Sequence, residues 1–119
     1  MTTETYFVDM PHMRKIITNP KFLSRVFSPQ KMKQLMKKNF APYSIAEMYC
    51  AKLAFKKAMG MRFSGCNIID VSVLTDYSGS YYLSLSGSAK ERFKQTGFRS
   101  NVSCAHSKAL AMATVVFFE

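Results

Sequence analysis

The sequence contains no tryptophan, and only five glycines, four prolines and seven acidic residues among its 119. With so little glycine and proline and no low-complexity tract, collagen-like, linker-like and disordered chains are excluded. No apolar run approaches the roughly 18 residues that a bilayer span requires, so no membrane segment is expected. The first ten residues, MTTETYFVDM, lack the basic-then-apolar order of a secretory signal. Three scattered cysteines, Cys50, Cys66 and Cys104, fit neither a disulfide framework nor a zinc knuckle, and point to a reducing cytoplasm. What is present suits an ordinary globular protein: 48% apolar residues, rich in Phe and Met. A chain of this length fits one domain over residues 1–119.

The shortage of acid leaves a formal net charge of +10. The excess is local: Arg14 to Arg62 holds twelve basic residues and one acid, Glu47. Such a field attracts polyanions, whether nucleic acid, an anionic membrane, a phosphate-rich cofactor or an acidic protein. A solvated basic surface kept for solubility is the plain alternative. Aromatics are plentiful, but most fall in apolar patterns that read as core, and no nucleic-acid motif appears. Nucleic acid is therefore not the expected partner.

Turn chemistry and periodicity divide the chain. Residues 5–10 read as a short strand ending at Asp9. Apolar side chains over 12–27 are spaced for helix, but Asn19-Pro20 breaks the segment in two. Ser28-Pro29 reads as the cap and first position of a helix over 29–38, ended by Asn39 to Pro42. Ser44 and Glu47 form an S-x-x-E capping box, predicting a long central helix to Met59 that Gly60 stops. Its lysines, Lys52, Lys56 and Lys57, sit in the half where positive charge suits the helix dipole. Residues 68–75 and 81–86 predict a hairpin about Asp76–Ser80. Ser88 and Glu91 form a second capping box, for a short helix closed by Gly97, and 100–105 and 109–118 predict two more strands. The expected class is α+β, a mostly antiparallel sheet packed on one long helix.

Four segments in register carry a family resemblance. Val8-Asp9-Met10 is similar to a G-I-D-I strand, and Phe22–Pro29 to F-x-x-R-[IV]-[LF]-T-P. Cys50–Gly60 is similar to the helix A-A-K-E-A-F-x-K-A-L-G, and Val102–His106 to the strand V-S-[IL]-[ST]-H. Asp70–Val73 and Gly79 fall where D-I-E-V and a glycine turn are expected. Over nearly its whole length the chain resembles the holo-acyl-carrier-protein synthases, which are 4′-phosphopantetheinyl transferases. The resemblance implies that fold, and transfer of 4′-phosphopantetheine from coenzyme A to a serine of acyl carrier protein. It implies Mg²⁺ held by the Asp of G-I-D-I and the Glu of A-K-E-A, with basic side chains gripping the phosphates.

Carried over residue by residue, Asp9 is the metal ligand or the base that orients the attacking serine. Lys57 binds the pyrophosphate or protonates the leaving group. His106 contacts the coenzyme A phosphates, and Arg62 can bind one. Arg14, Lys15, Lys21 and Arg25 are candidates for docking the acidic carrier protein. The resemblance also implies a homotrimer with its site between subunits. Each candidate has a plainer reading: Asp9 as a turn or cap acid, Lys57 as solvated surface, His106 as a partner for a backbone carbonyl.

Departures from the pattern thin the site. Leu53 stands where A-K-E-A places the metal-binding Glu, and leucine has no ligand atom. Glu47 lies six residues earlier, about 9 Å along the helix and about 120° around it, and is read as the capping partner of Ser44. Met48 replaces an Arg, the G-T-G turn reads Gly60-Met61-Arg62, G-K-P reads Gly79-Ser80-Tyr81, and a strand hydroxyl is lost at Ala105. The alternative to an active transferase is therefore a relative that binds a carrier protein or coenzyme A without turnover.

Overall fold

The computed structural model describes residues 1–38 and 41–119. The chain opens with strand β1 (Thr2–Asp9) and helices α1 (Met10–Ile16), α2 (Pro20–Val26) and α3 (Pro29–Lys38). The long helix α4 (Pro42–Met59) follows, then hairpin β2 (Val71–Thr75) and β3 (Tyr81–Leu85), helix α5 (Gly87–Thr96), and strands β4 (Arg99–His106) and β5 (Leu110–Phe118). The expected α+β class is what folds, but with two antiparallel sheets rather than one. The larger has the order β1-β5-β4, and β2 and β3 form the smaller.

Local chemistry explains most boundaries. Asn19 caps α2, its Oδ1 accepting from Lys21 N at 3.0 Å, and Pro20 takes the first helical position. Ser28 Oγ accepts from Lys31 N at 3.1 Å and starts α3. The expected end of α3, from Asn39 to Pro42, falls in part outside the described residues.

Both predicted capping boxes are corrected. Helix α4 begins at Pro42, with Ala41 as a cap that offers no side-chain bond, so Ser44 and Glu47 lie inside the helix. Proline's fixed φ already suits the first turn, and it moves the start two residues upstream of the motif. Helix α5 begins at Gly87, and the Ser86 hydroxyl bonds the Asp70 carboxylate at 3.1 Å rather than the helix. Gly87 (φ +56) is required here: a Cβ would come within 2.6 Å of Asp70 Oδ2.

The core lies between α4 and the inner face of the larger sheet. Ala111, Ala113, Val115 and Phe117 of β5 are buried, while Leu110 and Met112 face outward, a period-two pattern. Small side chains meet at one end, where Ala46 packs with Ala111 and the Cys50 thiol reaches the Ala111 carbonyl. At the other end Phe55, Phe93 and Phe117 interlock with centroids 4.9–5.5 Å apart. Lys52, one of the three lysines in the half of the helix that suits positive charge, is 2% exposed. Its ammonium donates to the Ile68 carbonyl at 3.2 Å and lies 5.1 Å from the Phe27 ring centre. None of the helices among the described residues is long and apolar enough to cross a membrane.

Candidate functional site

The first turns of α4 and the end of β4 build one cleft. Tyr43 and Glu47 are one turn apart on α4, and both reach His106. The Tyr43 ring stacks on the imidazole with centroids 4.0 Å apart and planes 15° from parallel. Glu47 is 6% exposed. Its Oε1 accepts from the Tyr81 hydroxyl at 3.3 Å, and its Oε2 lies 3.3 Å from His106 Nδ1. Burial first, and the Glu47 charge second, push the Tyr81 phenol and the Cys50 and Cys104 thiols up to about 12. Neither thiol is a thiolate at neutral pH, so neither serves as a nucleophile. In front of His106 lies a cavity of about 400 Å³ bordered by Arg14, Pro42, Tyr43 and Lys108.

The C-terminal end of α4 builds a second region. Tyr6, Leu53, Lys56, Lys57 and Gly60 line a groove of about 340 Å³. Lys56 and Gly60 also border a larger one, about 710 Å³, walled by residues 63–68. Lys57 Nζ pairs with Glu4 Oε2 at 3.4 Å and lies 3.5 Å from the Thr5 carbonyl. Arg92 of α5 clamps the loop after α4, donating to the Arg62 carbonyl at 3.1 Å and the Ser64 carbonyl at 2.7 Å.

The candidates do not converge within one chain. Asp9 caps α1, its Oδ1 accepting from His12 N at 2.9 Å. Lys57 is held at Glu4 and Thr5, toward the opposite end of β1 from Asp9. His106 sits with Glu47, ten residues and about 15 Å of helix from position 57. Arg14 lines the His106 cleft, its Nη2 reaching the Lys108 carbonyl at 3.4 Å. Lys15, Lys21 and Arg25 are exposed on α1 and α2, and Arg62 is exposed after α4.

For Mg²⁺ the residues present do not make a two-carboxylate site. Leu53 offers no donor, one oxygen of Asp9 already caps a helix, and Glu47 is engaged by Tyr81 and His106. Among the described residues no three His, Cys, Asp or Glu side chains cluster to hold an ion.

Sequence reasoning missed Glu47, Tyr43, Tyr81 and the clamp from Arg92. The S-x-x-E pattern hid Glu47 behind a local role, although its standing as the lone acid in a basic stretch was a signal available in the sequence.

Fold and site together define an α+β domain whose central helix carries cationic grooves at both ends, a class suited to anionic substrates. No protein-family model matches the chain. It is 32% identical over 111 residues to the holo-[acyl-carrier-protein] synthase of Treponema denticola, covering 92% of this chain and 90% of that protein. The holo-[acyl-carrier-protein] synthase of Neisseria meningitidis superposes with a TM-score of 0.83 at 16% identity, over 99% of this chain and 98% of the other. That of Helicobacter pylori, solved in complex with coenzyme A, superposes at 0.77 with 23% identity, over 98% of this chain and 99% of the other. The structural likenesses establish the fold, and the Treponema alignment establishes the family. The chain belongs to the holo-[acyl-carrier-protein] synthase family.

Proposed function

We propose that this protein transfers 4′-phosphopantetheine from coenzyme A to a serine hydroxyl of an acidic acyl carrier protein, releasing 3′,5′-ADP, a step that serves fatty acid synthesis. The observation that carries this reading is the alignment with a holo-[acyl-carrier-protein] synthase through nine-tenths of both chains. Such a transfer demands alignment and charge neutralisation more than covalent help from the protein.

The roles divide between the two ends of α4. Lys57, with Lys56 beside it and Arg62 beyond Gly60, supplies cationic donors for the pyrophosphate. In the transfer Lys57 leaves its exposed pair with Glu4, an interaction that costs little to break. Lys15, Lys21 and Arg25 present positive charge to the carrier protein, and Arg14 joins them at the edge of the His106 cleft. Asp9 is the candidate ligand for Mg²⁺.

A homotrimer with shared sites is part of the proposal. Two features support it. The outer face of the larger sheet exposes Phe7, Leu110 and Met112, an apolar surface fit for burial against another copy. His106 and Lys57 lie at opposite ends of α4, so a site that uses both needs a second chain. A monomer in sedimentation would refute the shared site. The three free cysteines support a reducing cytoplasm as the compartment.

Incubation with coenzyme A, Mg²⁺ and apo acyl carrier protein tests the reaction. The expected result is a carrier-protein mass gain of one phosphopantetheine. The competing reading, binding without turnover, rests on Leu53. It prevails if the carrier protein binds but its mass is unchanged while an intact family member modifies it.

A further inference from the structure

We infer that Glu47 is a positioning residue for the proposed transfer: it fixes His106 as the Nδ1–H tautomer and leaves Nε2 bare toward the cleft, as the acceptor for the proton of the attacking serine. The inference rests on the transfer reaction proposed above. It starts from a buried charge that no part of the fold needs. Glu47 lies on the core-facing side of α4, where an apolar residue would pack without desolvating a carboxylate. It is kept there by Tyr81 on Oε1 and His106 on Oε2, each at 3.3 Å.

A carboxylate facing Nδ1 makes that nitrogen the donor. The neutral ring then has its lone pair on Nε2, across the ring from the buried acid. Stacking on Tyr43 at 4.0 Å holds the ring plane, so the bare nitrogen has one direction in which to point. The groups around this pair are the Tyr81 phenol and the Cys50 and Cys104 thiols, which stay protonated at neutral pH, and the Arg14 and Lys108 cations across the cleft. The two cations suit phosphate oxygens. A bare Nε2 does not, because two acceptors repel, whereas it suits a hydroxyl.

As the serine Oγ bonds to the β-phosphorus, its proton passes to Nε2. The bond from that phosphorus to the bridging oxygen breaks, and the electron pair leaves on 3′,5′-ADP. The imidazolium so formed is charge-balanced by Glu47 and later loses its proton to water.

The chain has two histidines, so His106→Asn assigns the ring signals of ¹⁵N-histidine-labelled protein. In the wild type the neutral His106 ring is expected as Nδ1–H. Glu47→Met keeps the buried volume but removes the acceptor. It should shift the ring toward Nε2–H and lower kcat about tenfold, with KM for coenzyme A changed by less than about twofold. Glu47→Gln retains an acceptor and should restore the tautomer, with kcat between those of Glu47→Met and the wild type because the imidazolium loses its charge partner. An Nε2–H ring in the wild type overturns the inference, whether or not Glu47→Met folds. So does a folded Glu47→Met protein with unchanged kcat. Absence of the Nδ1–H tautomer in a wild type that does transfer refutes this inference alone, while a wild type that transfers nothing refutes the proposed reaction and the proton-acceptor role with it.

Discussion

The two ends of α4 carry polar groups in different ways. At the N-terminal end every group is tied to another: Tyr81 to Glu47, Glu47 to His106, His106 to the face of Tyr43. At the C-terminal end Lys57 holds an exposed pair with Glu4 and a long contact to the Thr5 carbonyl, and Leu53 stands where the family resemblance places a carboxylate. Glu47 at the centre of that network is buried, so leaving it unpaired would cost its desolvation, whereas an exposed ion pair is worth little and opens readily. On the proposed function, that contrast suits placement of the reacting hydroxyl at the first end and an adaptable grip on phosphate at the second. The absence of a carboxylate at position 53 is not repeated at the first end. Where one carboxylate is absent, another is buried and fully engaged two turns away.

Four measurements would break or sharpen that contrast. The largest effect is expected from Lys57→Ala, which should lower kcat/KM for coenzyme A about a hundredfold, since one donor to developing phosphate charge is worth that much. A change under threefold in the mass-gain assay would remove the C-terminal end from the site. Next is Leu53→Glu, expected to raise the Mg²⁺-dependent rate about tenfold by returning a hard oxygen ligand. An unchanged rate across an Mg²⁺ titration would mean that the groove no longer receives an ion in any useful position.

The third concerns the other buried charge on α4. Burial, and then the Lys31 charge, lower the Lys52 ammonium from its ordinary 10.5 to about 8. Between those values the unfolded chain binds the extra proton, so stability rises with pH across that window. Lys52→Met should be more stable at pH 7 by about 1–2 kcal/mol. The advantage should narrow above pH 8, as read from urea unfolding at pH 7 and pH 9.5. Equal pH slopes for the two proteins would show that Lys52 is better solvated than its position implies. The smallest effect is expected for Arg25→Glu, a rise of about fivefold in KM for the carrier protein that fades with added salt. A salt-independent change would point to altered folding of α2 instead of lost steering.

Much of this architecture was legible because its signals are short-range. Pro20 and Pro29 with their caps, the alternation over β2, β3 and β5, and Gly97 in the left-handed region each act within a few residues of themselves. The same locality misled at Ser44 and Ser88, where S-x-x-E recurs inside a helix that a proline or a glycine turn had already begun. The candidate site was legible in part. Asp9, Lys57 and His106 were singled out by their places in motifs, but not how far apart one chain holds them.

Order of elements, class of fold and the basic face thus follow from the linear chain, since propensity, periodicity and charge content need no distant partner to express themselves. The work of each charge does not. Glu47 and Lys52 are five residues apart on one helix, and nothing near them in sequence separates their fates. Tyr81 and His106 arrive from 34 and 59 residues away to engage the acid, while Phe27 and the Ile68 carbonyl enclose the base. Only packing brings such partners within hydrogen-bond range, and it is there, in a medium that solvates charge poorly, that a side chain acquires a role.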